Sequence, residues 1–188
     1  VLSAVEASGE LCREHQLDAG DIKAIRVGIP KIIQGRLTVA EPKDVQAGQM
    51  SLPYCMAMVI KQGKKVPPGF TINIDDFEGA LADPSVMAIS KSIDCALDSD
   101  AERVSTEQSV GAKVTFTLQS GGTVEKFIEA PKGSASRPFT LDDHIARFTA
   151  EMLKRFTPAQ VDGLLDEVRN FAQAPNPDRL MHLLAAKT

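Results

Sequence analysis

The sequence predicts an α+β protein: a small, mostly antiparallel sheet with helices, followed by an all-helical C-terminal tail. Three observations carry this. β-Branched residues alternate through Ile25, Val27 and Ile29, and a second alternation, Val114, Phe116 and Leu118, returns across Gly121-Gly122 as strands do at period 2. Apolar residues recur at 3.6-residue spacing between a start signal at Ser51 and a stop at Gly63. From Thr140 onward the sequence turns wholly helical and amphipathic. The expected organisation is an α+β domain over residues 1–139 and C-terminal helices over 140–188.

Taken in order, Leu2, Val5, Leu11 and Cys12 stand at helical spacing, so a helix should run to about His15 and end in the turn formers Asp18 to Asp21. Because that helix is under way at the second residue and Val1 is not Met, the chain reads as a fragment of a longer protein. A strand follows over Ile22–Ile29, closed by Pro30. From Lys31 to Gly48 the pattern is weak, and a short helix followed by an irregular loop is expected. Leu52, Cys55, Met56, Val59 and Ile60 then form one helix face, with Ser51 as N-cap and Pro53 in the first turn, where a missing N–H costs nothing. Lys64 to Gly69 should be a loop. Asp75-Asp76-Phe77-Glu78 lacks calcium-loop spacing and reads as a solvated helix start. Asp83-Pro84 begins a short helix through Met87 and Ile89, and Ile93, Cys95 and Leu97 alternate as a half-buried strand.

The hairpin over 112–130 turns at Gly121-Gly122, because that turn needs positive φ angles. Beyond the Pro131–Ser134 loop, Thr140 and Asp143 make a capping box ahead of Leu141, Ile145, Phe148, Met152 and Phe156. Thr157-Pro158 opens a second helix bearing Val161, Leu164, Leu165, Val168 and Phe171. Asn176-Pro177 opens a third that should bury Leu180, Leu183 and Leu184.

Composition narrows the function classes. At 188 residues, with 24% charged and 5% aromatic side chains, the chain is long enough for a real core. A net charge of −4, with Lys and Arg dispersed, disfavours nucleic acid or an anionic membrane as partner. No apolar run is long enough to span a bilayer. Cys12, Cys55 and Cys95 form neither a disulfide framework nor a zinc pattern, so reduced, buried thiols and a cytoplasmic location are expected. No phosphate loop, nucleophile elbow or metalloprotease motif occurs, and His15, His144 and His182 read as surface histidines.

One local constellation has a mechanism. In Gln46-Ala47-Gly48-Gln49-Met50-Ser51-Leu52-Pro53-Tyr54 the phenol falls in the first turn of a capped helix, where free N–H groups and the helix dipole attract carboxylates. A phenol there can donate a hydrogen bond or a proton to a carboxylate-bearing substrate. It can equally anchor the helix start by bonding a backbone carbonyl.

The order of motifs resembles the C-terminal part of the MmgE/PrpD family, which includes 2-methylcitrate dehydratases, cis-aconitate decarboxylases and an iminodisuccinate epimerase. The residues carrying the resemblance are the strand Ile22–Ile29, Gln49 to Tyr54 with Gly63 closing the helix, Asp83-Pro84-Ser85-Val86, the hairpin, Ala130-Pro131-Lys132-Gly133-Ser134, Arg137-Pro138-Phe139-Thr140 and Arg147-Phe148. The resemblance implies an α+β domain joined to an all-helical one, with the active site in the cleft between them. It implies a cytoplasmic homodimer that acts on small di- or tricarboxylates with neither metal nor cofactor. The family's catalytic histidines and an important lysine lie upstream of the equivalent of Val1, and residues 140–188 would pack on that missing helical domain. Tyr54 maps onto the family's helix-start tyrosine and is the candidate catalytic residue, with Ser51 and Gln49 as candidate substrate-binding residues. Met50 stands where dehydratases and decarboxylases of the family tend to carry His, and Pro53 where they carry Gln. The reaction is therefore open between dehydration, decarboxylation and epimerisation, and a non-catalytic dimerisation or binding module is the alternative of another class.

Overall fold

Helix α1 (Leu2–Glu14) buries Ala4, Ala7, Leu11 and Cys12 against the sheet, as their spacing requires. The computed structural model describes residues 1–67, 72–173 and 176–185. The chain divides into two compact units, Val1–Pro138 and Phe139–Thr188.

In the first unit four strands, β1 (Ile22–Ile29), β2 (Ile93–Leu97), β3 (Ala112–Leu118) and β4 (Thr123–Ile128), form one sheet in the order β2-β1-β3-β4. The β1–β3 and β3–β4 pairs are antiparallel and β1–β2 is parallel, so the sheet is mixed but mostly antiparallel, as expected. Val27 sits between Cys95 and Val114 in register. With Ile25, Ile29 and Phe116 it forms the buried face. A parallel pair needs a long crossover, and here it is helical: α2 (Val45–Gln49), α3 (Leu52–Gln62), α4 (Ile74–Leu81) and α5 (Pro84–Ser92) lie between β1 and β2.

Helix α3 is the pivot of this unit. Every residue from Leu52 to Ile60 is buried. Leu52, Met56 and Ile60 join the sheet core, while Tyr54, Cys55, Met58 and Val59 join a second cluster with Phe77 and Val86. Each fully buried aliphatic side chain of this size contributes about 1.5–3 kcal/mol by transfer from water. The outer row of α1, Glu6, Glu10 and Glu14, is held by cations from the far end of the unit. Lys126 of β4 pairs with Glu10 at 3.0 Å and Glu14 at 2.8 Å, and Arg137 donates to Glu6 at 2.7 Å. Ser3 Oγ donates to the Val110 carbonyl. On the opposite sheet face, a Cβ on Gly28 would lie 2.6 Å from the Asp98 Cβ, so only glycine lets that turn rest on β1.

Several local expectations are corrected. Between Lys31 and Gly48 the order is reversed: turns come first and α2 comes last, capped by Asp44 Oδ1 accepting from Ala47 N. Five residues are too few to display a period. For the same reason α6 (Ser99–Val104), capped by Asp98, leaves no periodic signal. The loop expected over Lys64 to Gly69 begins with a 3₁₀ turn at Gly63–Lys65, and its Pro68 and Gly69 lie outside the described residues. Cys12 and Cys55 are buried and free, whereas Cys95 is only half-buried.

The second unit holds α7 (Leu141–Met152), α8 (Pro158–Arg169) and α9 (Asp178–Leu184). The capping boxes at Thr140/Asp143 and Thr157/Gln160 form as the sequence predicts. Among the described residues of these helices only Val161 and Leu164 are buried. Leu180 and Leu183 are half-buried, Leu184 and Val168 are exposed, and Phe171 lies past the end of α8 on an exposed 3₁₀ turn. Three short helices enclose little interior, so the amphipathic pattern overstates burial here. No described helix is long and apolar enough to cross a membrane.

Candidate functional site

Gln49, Ser51 and Tyr54 meet at the corner between α2 and α3. The corner is tied at several points. Gly48 N donates to the Asp44 carbonyl, Ser51 N to the Gly48 carbonyl at 3.0 Å, and Leu52 N to the Leu37 carbonyl at 2.7 Å. Ser51 Oγ accepts from Tyr54 N at 3.1 Å and donates to the Val39 carbonyl at 2.5 Å. The N-cap assigned to Ser51 is therefore real, and its hydroxyl is fully engaged on both sides.

Sequence reasoning expected free N–H groups at this helix start, and here the structure corrects it. The Leu52 N–H is paired with Leu37, Pro53 has none, Tyr54 N–H bonds Ser51 Oγ, and Cys55 N–H bonds the Ser51 carbonyl at 3.0 Å. An anion at this corner would meet the positive end of the α3 dipole but no unpaired first-turn donor. The irregular segment 37–39, folding back over the helix start, supplies the Leu37 carbonyl to Leu52 N–H and the Val39 carbonyl to Ser51 Oγ, and that return is invisible in a one-dimensional pattern.

The candidate residues differ in access. Gln49 is exposed, as is Met50 beside it. Ser51 is buried, and Tyr54 has no exposed surface. The Tyr54 hydroxyl donates to the Phe77 carbonyl at 3.3 Å, and the two rings pack with centroids 6.1 Å apart. Burial pushes the phenol up to about 12, helped by neighbouring Cys55 and Asp83, so near neutral pH it stays protonated and acts as a donor. Burial likewise pushes the Cys55 thiol up to about 11, and its Sγ lies 3.4 Å from the Gly48 carbonyl. That makes Cys55 a packing residue rather than a nucleophile.

Two residues to which the sequence assigns no role complete the corner. Gly48 is seated against both rings, since a Cβ there would lie 3.1 Å from Tyr54 Cε1 and 3.2 Å from Phe77 Cδ1. Phe77 supplies both the ring partner and the acceptor. Its place in an acidic helix start was legible, but the pairing across 23 residues was not.

Elsewhere the chemistry is sparse. His15, His144 and His182 are exposed, and among the described residues no group of three or more His, Cys, Asp or Glu side chains could hold a metal ion. A surface cavity of about 290 Å³ between the 106–109 and 129–136 segments is lined by Thr106, Ser109, Glu129, Ser134 and Ser136. It holds no cation that would recognise a carboxylate.

Comparison with known proteins gives one family. The model of the MmgE/PrpD C-terminal domain matches residues 1–173, from α1 through the 3₁₀ turn after α8. No curated protein matches the chain. The match spans the strands, the α2–α3 corner and the first two helices of the second unit, so the chain belongs to the MmgE/PrpD family and carries its C-terminal domain.

Proposed function

We propose that this chain is the C-terminal domain of a cofactor-independent lyase, a dehydratase or decarboxylase acting on a small di- or tricarboxylate such as 2-methylcitrate, in a cytoplasmic homodimer. The observation that carries the reading is the family match over residues 1–173, which includes the Gln49–Tyr54 corner. In this reading a substrate carboxylate approaches the positive end of α3, and exposed Gln49 meets it with its carboxamide N–H. Ser51 serves binding by holding the corner rigid. Tyr54 assists proton transfer, for which its hydroxyl must exchange the Phe77 carbonyl for the substrate. The base and the counter-charge come from the rest of the enzyme.

The experiment is an ultraviolet assay of double-bond formation or loss by the complete enzyme, offered 2-hydroxy tricarboxylates and cis-aconitate, with this 188-residue chain as control. Turnover by the enzyme alone is expected. Tyr54→Phe should lower kcat about 10- to 1000-fold, the scale of lost acid–base assistance. Unchanged turnover in that variant returns Tyr54 to a purely structural role. If the complete enzyme is silent in this assay but converts a chiral dicarboxylate, followed by polarimetry, the lyase is replaced by an epimerase. If it is silent in both, a non-catalytic dimerisation module replaces the enzyme.

A further inference from the structure

Resting on the reading that Tyr54 serves the reaction, we infer that helix α4 is a removable cover over the Tyr54 hydroxyl, with Phe77 as the positioning residue that holds the cover in place. The hydroxyl's partner is a carbonyl of α4, not of the helix that carries Tyr54. Its 3.3 Å bond is long for an O–H···O contact. A carbonyl inside a helix has its own ladder donor, so the acceptor loses little when the phenol leaves.

The cover itself is lightly fastened. Phe77 is the one buried residue of α4, while Ile74 is exposed and Ala80 and Leu81 are only partly buried. The helix start is self-contained. The Asn73/Asp76 capping box, with Asn73 N donating to Asp76 Oδ2 at 2.8 Å, satisfies it without help from the rest of the unit, so α4 can shift as a body and keep its cap. The opposite wall is closely packed, since a Cβ on Gly48 would lie 3.1 Å from Tyr54 Cε1 and 3.2 Å from Phe77 Cδ1. Gly48 is also the neighbour of Gln49, so displacing α4 uncovers the phenol beside the exposed corner.

Tyr54 is the single tyrosine and the chain has no tryptophan, so its phenol spectrum reports this one site. In native-state hydrogen exchange of the 188-residue chain, amides of α4 are expected to exchange at least tenfold faster than those of α3. Exchange of α4 only in step with α3 overturns the proposal. In Phe77→Ala, the ultraviolet titration should bring phenol ionisation back toward the ordinary value near 10 and open Tyr54 to acrylamide quenching, with far-UV circular dichroism retained. A folded Phe77→Ala chain whose phenol is as shielded as before overturns it too. Should that variant fail to fold, Phe77→Leu takes its place, and the exchange measurement on the unmodified chain decides alone. In the complete enzyme, Phe77→Leu loosens the cover and should raise kcat at unchanged KM, a gain that vanishes in a Tyr54→Phe background, while a change of the same size there refutes the coupling. An enzyme without turnover defeats the lyase reading and leaves the exchange and titration results standing, so the two failures are distinct.

Discussion

Replacing Tyr54 by Phe and by Ala separates what its hydroxyl contributes from what its ring contributes. The hydroxyl makes one hydrogen bond of 3.3 Å to a helix carbonyl. A net intramolecular hydrogen bond is worth about 0.5–1.5 kcal/mol, and a long one belongs at the lower end. Tyr54→Phe leaves no orphaned donor and opens no space larger than one oxygen, so it should destabilise the chain by less than about 1 kcal/mol. The ring is another matter. It has no exposed surface, rests on Gly48 and pairs with Phe77. Tyr54→Ala should cost about 3–5 kcal/mol, the range for removing a large aromatic from a core. Aromatic pairing supplies roughly 0.5–1.5 kcal/mol of that, which a double-mutant cycle with Phe77→Leu isolates. The assay is urea unfolding followed by far-UV circular dichroism, since both variants remove the tyrosine signal. A Tyr54→Phe loss above about 2 kcal/mol means the hydroxyl belongs to a stronger network than one long bond. A Tyr54→Ala loss below about 1 kcal/mol means the ring is not the keystone of the second cluster. Either result refutes the reasoning.

Two further outcomes follow from the packing. The hydrogen bond from Lys126 holds the Glu14 carboxyl below its usual range, and Glu14 and Glu10 in turn raise Lys126. The Glu14 contribution is present above its unfolded pKa and lost as pH falls through the lower folded value. The Lys126 contribution is present below its unfolded pKa and lost as pH rises through the higher folded value. On the acid side the urea midpoint should therefore hold down to about pH 5 and fall below it, by well under 1 kcal/mol from a group this exposed. Above about pH 8 the Lys126 contribution is overlaid by the buried Cys55 thiol and Tyr54 phenol, whose raised values cost stability as pH rises. Lys126→Met should reduce the fall on the acid side, and identical acid profiles contradict the pairing. Gly28→Ala drives a methyl group to within 2.6 Å of the Asp98 Cβ and should cost about 1–3 kcal/mol as overpacking. The check is the urea midpoint, and an unchanged value means the Asp98 turn is free to retreat.

The fold was legible where a long period or a strong punctuator speaks. Ser51, Asp83, Thr140 and Thr157 cap the helices they were expected to cap, and Gly121-Gly122 turns the hairpin with positive φ at both residues. The short helices α2 and α6 were not legible, because five or six residues carry no measurable period and form under tertiary packing. Burial of the C-terminal helices was overstated, since amphipathicity marks which side is apolar and not how much neighbour there is to cover it. At the candidate site the helix start and its tyrosine could be located from sequence. The Leu37 partner of Leu52 N–H, the Val39 acceptor of Ser51 Oγ and the Tyr54–Phe77 bond could not, because they depend on segments 12 to 23 residues away returning to α3.

The fastening of α1 bears on the order in which the chain becomes a structure. Its partners lie more than 100 residues downstream: Ser3 meets Val110, Glu14 meets Lys126, and Glu6 meets Arg137. During synthesis the first helix emerges well before any of these, with Ala4, Ala7, Leu11 and Cys12 having no sheet to cover them. Closing so long a loop late makes folding slow relative to a helical protein of this size, and any chain cut before the hairpin returns leaves that apolar stripe covered by α3 without β3 and β4. The acidic row on the other face of α1 then has a second use as solubilising charge on a segment that must wait.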